Sequence, residues 1–328
     1  MAHDSAAALP ATLDALLPQL REDDELVIVD CASRDATVPV AREHGATVLE
    51  LGENRGFAGG CNAGADATRA PLLVLLNPDT IPAPDFLEAL RRPVAQRPRW
   101  GAWQALVALP GGEEVNTDGN VVHFLGFGWA GGLGSSAARS RERGLREVAF
   151  PSGAAMAIRR DAWDAVGGFD ARYFMYGEDL DLGLRLRLAG FQVGVQPDAM
   201  AEHDYAFAKG DYKWFWMERN RAWTVLGAYP APLLAALAPA LLAFEVALLA
   251  VAWRGGWLRA KLRAQAAVAR ELPAIVRRRR EVQRTRAVSA AVFAGALTAS
   301  VDSPNLPAVP VATQLQAGFW RLVRAALR

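Results

Sequence analysis

Five short stretches carry side chains able to do chemistry. LLVLLNPDT (72–80) runs an apolar segment into Asn77, Pro78, Asp79 and Thr80, and LVIVD (26–30) also ends in an acid, Asp30. YGEDLDLGLRLRLAG (176–190) places Glu178 and Asp179 directly after Gly177. EHDYAF (202–207) carries His203, and ERNR (218–221) carries Arg219. Pro78 restricts the backbone, so the Asp79 carboxylate leaves its strand in a defined direction. Such a carboxylate suits Mg²⁺ or Mn²⁺, hard cations that take oxygen ligands from one or two carboxylates and from substrate phosphates. The same residues also suit an Asx or type I turn closed on its own backbone, and residue types alone leave both readings open. Glu178 and Asp179 in a first helical turn complement the helix dipole. A carboxylate placed there can equally take the proton of an attacking hydroxyl. Asp181 and Arg185, four apart, read as a helix ion pair, so Asp181 is expected to be structural.

The elements that position these residues follow from hydrophobic period. LVIVD (26–30), ATVLEL (46–51), LLVLLN (72–77) and FQVGVQP (191–197) are apolar runs of strand length. Between them lie helical patterns: Leu9, Leu13, Leu16, Leu17 and Leu20, the small-residue stretch 58–68, and PDFLEALRRPV (84–94), with Pro84 and Asp85 in its first turn. Alternation of this kind predicts an α/β fold with strands buried on both faces. Ligands in such folds bind at the carboxyl ends of strands, where Asp30 and Asp79 stand. In NRGFAGGCNAG (54–64), Gly56, Gly59, Gly60 and Gly64 permit close backbone approach to a ligand or close helix packing. The spacing matches neither the Walker nor the Rossmann glycine pattern.

A chain of 328 residues with 52% hydrophobic content can bury a large core. Its net charge of +1 hides an asymmetry: 14 of the 36 Lys/Arg but only 3 of the 35 Asp/Glu lie from Arg254 onward. The first part is therefore acidic and the tail basic, which points the tail toward an anionic surface. Two cysteines, Cys31 and Cys61, argue against a disulfide scaffold and lack zinc-site spacing. No signal-peptide pattern opens the chain.

Taken together, VDCASRD (29–35), ENRGFAGGCNAG (53–64), LLNPDT (75–80), SGAAMAIRRDAWDAVGGFD (152–170), FMYGEDLDLGLRLRLAGF (174–191), MAEHDYAF (200–207) and ERNRAW (218–223) resemble the inverting family 2 glycosyltransferases, in particular their rhamnosyltransferase-like branch. The resemblance implies a GT-A nucleotide-sugar-binding fold, a mostly parallel central sheet flanked by helices, over residues 1–226. A basic helical extension follows at 227–328. It implies that Asp79 binds the metal bridging the donor diphosphate, with Asn77 beside it and His203 completing the coordination. Asp30 would meet the donor pyrimidine, and Asn54, Gly56 and Asn62 would line the nucleotide. Asp179 would be the general base and Glu178 would orient the acceptor, with the helix dipole and the metal keeping Asp179 ionised, so that the mechanism relies on positioning more than on a raised pKa. Arg219 would hold the departing diphosphate. Family members open with a strand ahead of the first helix, and that strand is expected to be missing here, with a contact to the base. The glycine-rich region 115–144 is expected to be a mobile acceptor-side loop, and sugar specificity is expected near it and near Trp163, Phe169 and Tyr173.

The implied reaction is transfer of a hexosyl unit, L-rhamnose in this branch, from a dTDP- or UDP-sugar to a glycan or polyprenyl-linked acceptor. The alternatives are a non-catalytic nucleotide-sugar or glycan binder and a sugar nucleotidyltransferase, which would need a basic, glycine-rich triphosphate loop. APLLAALAPALLAFEVALLAVAW (231–253) is long enough to span a bilayer, but Pro232, Pro239 and Glu245 interrupt it. The expected placement is peripheral or monotopic, on the cytoplasmic leaflet, with RRRREVQRTR (277–286) against anionic headgroups. No nucleic-acid module accompanies these arginines, so nucleic acid is not an expected partner.

Overall fold

The computed structural model describes residues 1–204, 212–303 and 310–328, so Tyr205, Ala206 and Phe207 of the histidine stretch lie outside the described residues. The central strand, Trp100–Ala108, is buried along its whole length. Ala155–Arg159 pairs with it on one side and Gln192–His203 on the other, while Leu72–Leu76 and Thr80–Pro82 lie outermost on that path. The sheet is more mixed than the alternating pattern predicts. Gln192–His203 runs parallel to Trp100–Ala108, but Ala155–Arg159 is antiparallel to both of its neighbours. The parallel pair is joined by a long crossover that contains the helix Glu178–Leu188, as parallel strands require.

Both faces of the sheet are covered. Trp100, Trp103, Ala105 and Val107 pack against Phe86 and Leu90 of the helix Phe86–Arg91. Ala102, Met156 and Ile158 pack against Cys61, Trp163, Phe169, Leu182 and Leu186. The helix Glu178–Leu188 is thus buried from two sides. Leu182 and Leu186 face the sheet, while Leu180, Leu184 and Leu188 join a core built with Leu233, Leu237, Val282, Phe293 and Trp320 from the C-terminal helices. The C-terminal extension therefore shares a core with the helix that carries the acid pair.

Val27–Asp30 and Thr47–Glu50 form a separate two-stranded parallel sheet. At the edge of this sheet Ala2 makes a bridge: its N–H donates to Val29 O at 2.8 Å and its carbonyl accepts from Cys31 N at 2.9 Å. A cavity of about 640 Å³, lined by Val27, Val29, Leu72, Val74 and Leu76 among others, separates this sheet from the main one. The region 115–144 is ordered, unlike the loop expected there. Asn120–Val122 and Gly128–Ala130 form a hairpin, and Asp118 is tied to Ser140, Arg143 and Arg146.

Candidate active site

Sheet register brings the first two site residues together. Thr80 at the start of Thr80–Pro82 pairs with His203 at the end of Gln192–His203, and Ile81 pairs with Glu202. The residue before Thr80 therefore meets the histidine: His203 Nε2 lies 3.2 Å from Asp79 Oδ1, with the imidazole buried and the carboxylate 44% exposed. One nitrogen and one carboxylate at a strand exit, half open to solvent, fit a hard divalent cation that takes its remaining ligands from phosphate and water. Among the described residues no cluster of three or more His, Cys, Asp or Glu forms a closed metal cage.

Asn77 links this corner to the acid pair. Its N–H donates to Ala154 O at 2.9 Å, and one residue earlier Gly153 N donates to Asp179 Oδ2 at 3.2 Å. Asp179 also accepts from Leu180 N at 2.7 Å and is partly exposed, whereas Glu178 is buried and its Oε2 has no hydrogen-bond partner. Burial raises the Asp179 carboxyl to about 6 against the N–H donors of Gly153 and Leu180, which pull it down. Burial, followed by the charges of Asp179 and Asp181, lifts Glu178 to about 8. The helix N-terminus favours the anion, but desolvation outweighs it. Between the two groups the site can hold one proton near neutral pH while the more exposed carboxylate stays ionised.

The nucleotide-side residues divide. Asp30 is buried, and its carboxylate accepts from Ser33 N at 3.2 Å in an Asx-type contact. Asn54 Oδ1 accepts from Gly56 N at 2.9 Å, and Gly56 has φ of +67° at the start of the helix Gly56–Asp66. A Cβ there would lie 2.3 Å from the Phe174 carbonyl oxygen, so the turn before the acid pair rests on this glycine. Gly60 and Gly64 instead allow close packing on Cys31 and Val29. At all three glycines the close neighbour is another part of this chain, as the packing reading expects.

Two expected donor contacts are not brought to the site. Asn62 closes a pair of hydrogen bonds with Phe169, accepting from its N–H at 3.0 Å and donating to its carbonyl at 2.8 Å. Arg219 is buried. Its Nε and Nη2 donate to Glu271 at 2.9 and 2.7 Å, its Nη1 donates to Arg172 O at 2.8 Å, and its guanidinium stacks over Trp223. Four of its five N–H donors are taken up in this way, so the guanidinium is committed to the fold. Trp163, Phe169 and Tyr173 are likewise core residues. The residue missed was Asn220, whose amide holds the turn before Glu178. Asn inside a helix is unfavourable unless its side chain has a partner, and that was the available signal.

The fold places the chain in the GT-A class of nucleotide-sugar-binding folds. Residues 2–225 match the family described as glycosyltransferase like family 2, and the chain belongs to that family. It is 33% identical over 174 residues to an N-acetylglucosaminyl-diphospho-decaprenol L-rhamnosyltransferase of Mycobacterium tuberculosis, covering 50% of this chain and 55% of that protein. It is 24% identical over 211 residues to an O-antigen chain rhamnosyltransferase of Salmonella typhimurium, covering 62% of this chain and 65% of that protein. The chain thus spans between half and two thirds of the length of these relatives. Its fold is similar to the crystal structure of GalNAc-T7 with UDP, GalNAc and Mn²⁺, with a TM-score of 0.55 at 14% identity over 68% of this chain and 46% of that one.

Proposed function

We propose that this protein is a divalent-metal-dependent inverting glycosyltransferase that moves a hexosyl unit, L-rhamnose, from a dTDP- or UDP-sugar to a polyprenyl-linked or cell-envelope glycan. The observation that carries the reading is the meeting of Asp79 and His203 across the sheet, with the acid pair linked to the same strand exit through Gly153 and Asn77. Asp79 and His203 would hold Mg²⁺ or Mn²⁺, which offsets the charge developing on the leaving diphosphate. Asp30, Asn54 and Gly56 border the nucleotide. Asp179 takes the proton of the acceptor hydroxyl as its oxygen bonds to the anomeric carbon and the bond to the diphosphate breaks. Glu178, protonated at neutral pH, orients the acceptor as a hydrogen-bond donor. The choice of rhamnose and of a lipid-linked acceptor is supported by the names of the two relatives above.

The membrane placement rests on the helix Ala231–Arg254, the one described helix long and apolar enough to cross a bilayer. It lies on the cytoplasmic leaflet instead of spanning it. Leu242, Val246, Val251 and Trp253 are exposed, while Glu245 is paired with Arg221 and Lys261. Pulling Glu245 through a bilayer would break a paired carboxylate. The test is incubation with Mg²⁺ or Mn²⁺ and a panel of UDP-, GDP- and dTDP-sugars with a prenyl-diphosphate-linked acceptor, following nucleotide release. No release with any donor, or equal release in chelator, rejects the reading.

A further inference from the structure

The turn that leads into the acid pair has an unusual backbone. Phe174 and Tyr176 both adopt positive φ, 60° and 66°, and Gly177 follows at 83° as the residue preceding the helix. Two bulky residues in the left-handed region within three positions do not hold themselves there; surrounding contacts must impose the shape. The contacts come from Asn220 on the helix Tyr212–Ala228. Its Nδ2 donates to Tyr173 O at 3.0 Å, Met175 O at 2.9 Å and Tyr176 O at 2.8 Å, and the residue is 1% exposed. Its Oδ1 accepts from Arg219 Nη1 at 2.8 Å, which fixes the amide face. Arg219 itself is anchored to Glu271 and to Arg172 O, so the clamp is fastened at both ends. On its far side the Phe174 carbonyl abuts Gly56, where a Cβ would come within 2.3 Å.

We infer that Asn220 is a positioning residue: by gathering three carbonyls of the 173–176 turn it fixes where Glu178 and Asp179 stand relative to the Gly56 loop. The inference rests on the proposed role of those two acids. Without the amide, the carbonyls of Tyr173, Met175 and Tyr176 lose a buried donor, and Phe174 and Tyr176 are free to return to ordinary φ. The start of the acid helix then shifts about the Gly177 hinge. Displacing a reacting group by about 1 Å costs about a hundredfold in rate. The donor side is less affected, because Gly56 is held separately by Asn54.

The experiment uses the full chain. Asn220→Ala and Asn220→Asp are compared with Val225→Ala, a buried apolar truncation on the same helix whose side chain makes no hydrogen bond to the turn. The readouts are kcat and donor KM, binding of the bare nucleotide diphosphate by calorimetry, and amide exchange over residues 173–177. The expected result is a fall in kcat of about a hundredfold with donor KM within about threefold, together with faster exchange of the turn. Val225→Ala, at a comparable loss in Tm, should keep kcat. Should Asn220→Ala fail to fold, Asn220→Gln, which keeps the N–H donors but moves them by one methylene, reads the same split. A kcat within about threefold of wild type in the folded Asn220 variant, while Asp179→Asn is inactive, overturns the inference. If Asp179→Asn is itself active, the acid-pair reading fails, and the exchange of residues 173–177 alone decides the clamp.

Discussion

Arg278 lies within the run of four arginines that composition assigns to a lipid surface, yet it is 3% exposed. Its Nη2 lies 2.5 Å from Asp181 Oδ1 and its Nε is paired with Asp170, so it staples the C-terminal helix Leu258–Arg284 to the acid helix and the turn before it. Substituting Arg278 with Gln leaves two buried carboxylates one partner short. Breaking a buried ion pair from one side costs about 3–5 kcal/mol. Here the lower end applies. Asp181 keeps Arg185 Nε at 2.7 Å and the Tyr173 hydroxyl at 3.0 Å, and Asp170 keeps Arg172 at 2.7 Å. A loss of about 3 kcal/mol corresponds to a fall in Tm of about 4 °C for a chain of this size. Arg277 and Arg280 on the same helix are exposed, and their replacement by Gln should stay within about 0.5 kcal/mol.

The assay is urea and thermal unfolding of the three variants beside co-sedimentation with anionic vesicles. Arg277→Gln and Arg280→Gln should each weaken vesicle binding by about 1 kcal/mol, while Arg278→Gln should leave it nearly unchanged when the protein is folded. A double-mutant cycle of Arg278→Gln with Asp181→Asn should return a coupling above about 1 kcal/mol. The pH dependence has a defined sign. Burial pushes the Asp181 carboxyl up, but the charges of Arg278 and Arg185 more than offset it and leave the group below its ordinary 3.8. Stability from the pair is therefore present above 3.8 and is lost as pH falls through the lower folded value, so the deficit of Arg278→Gln should shrink only in acid. A destabilisation below about 1 kcal/mol, or a vesicle-binding loss equal to that of Arg277→Gln, would refute the buried-staple reasoning.

The other predictions concern the site and the arm. Asp179→Asn should lower kcat by about 10²–10⁴-fold with donor affinity within a few-fold, read by steady-state kinetics and calorimetry; matched losses in both would instead make Asp179 a structural group. Asp79→Ala should abolish metal-stimulated binding of the nucleotide diphosphate and His203→Ala should weaken it, whereas full activity of Asp79→Ala in chelator would sink the metal assignment. Glu178 is raised from 4.5 to about 8, so the native state holds its proton more tightly than the unfolded chain; stability falls as pH rises through that window, and Glu178→Gln should raise Tm above pH 8 but not at pH 4. Val246→Asp with Trp253→Ser should release the protein from vesicles without unfolding it, because both residues are exposed. Truncation after Gly227 should yield unfolded protein, since it removes Glu271 and Arg278 together with Leu233, Leu237 and Val282 of a shared core.

Which parts of this protein could be read from its residues depends on the range of the interaction involved. The strand exits at Asp30 and Asp79 and the helix start at Gly177 are local events, set by a run of apolar residues, a proline and a glycine, and each falls where its pattern puts it. The ion pair of Asp181 with Arg185 is local too. The contact of Asp79 with His203 is not. It depends on the antiparallel register of two strands far apart in sequence, which no local pattern specifies, so only the family resemblance joined them. Burial was hidden for the same reason: the upward shifts of Glu178 and Asp179 come from elements packed over them and not from their neighbours in the chain.

The arginine run shows what periodicity could have added. Four consecutive residues cover a full turn of helix, so a helix packed along one side cannot send all four side chains to the same surface. Arg277 and Arg280 face solvent, while Arg278 turns in to Asp181 and Arg279 donates to the Leu226 and Tyr229 carbonyls, both at 2.7 Å. A net charge assigned to the tail as a whole therefore overstates what a membrane would feel and understates what the catalytic domain receives. The basic extension contributes a surface through some of its arginines. Through Arg278, and through Glu271 acting on Arg219 and Asn220, it also fixes the segment that presents the acid pair. The role proposed for Asp179 and the docking of the C-terminal helices are for that reason one structural problem.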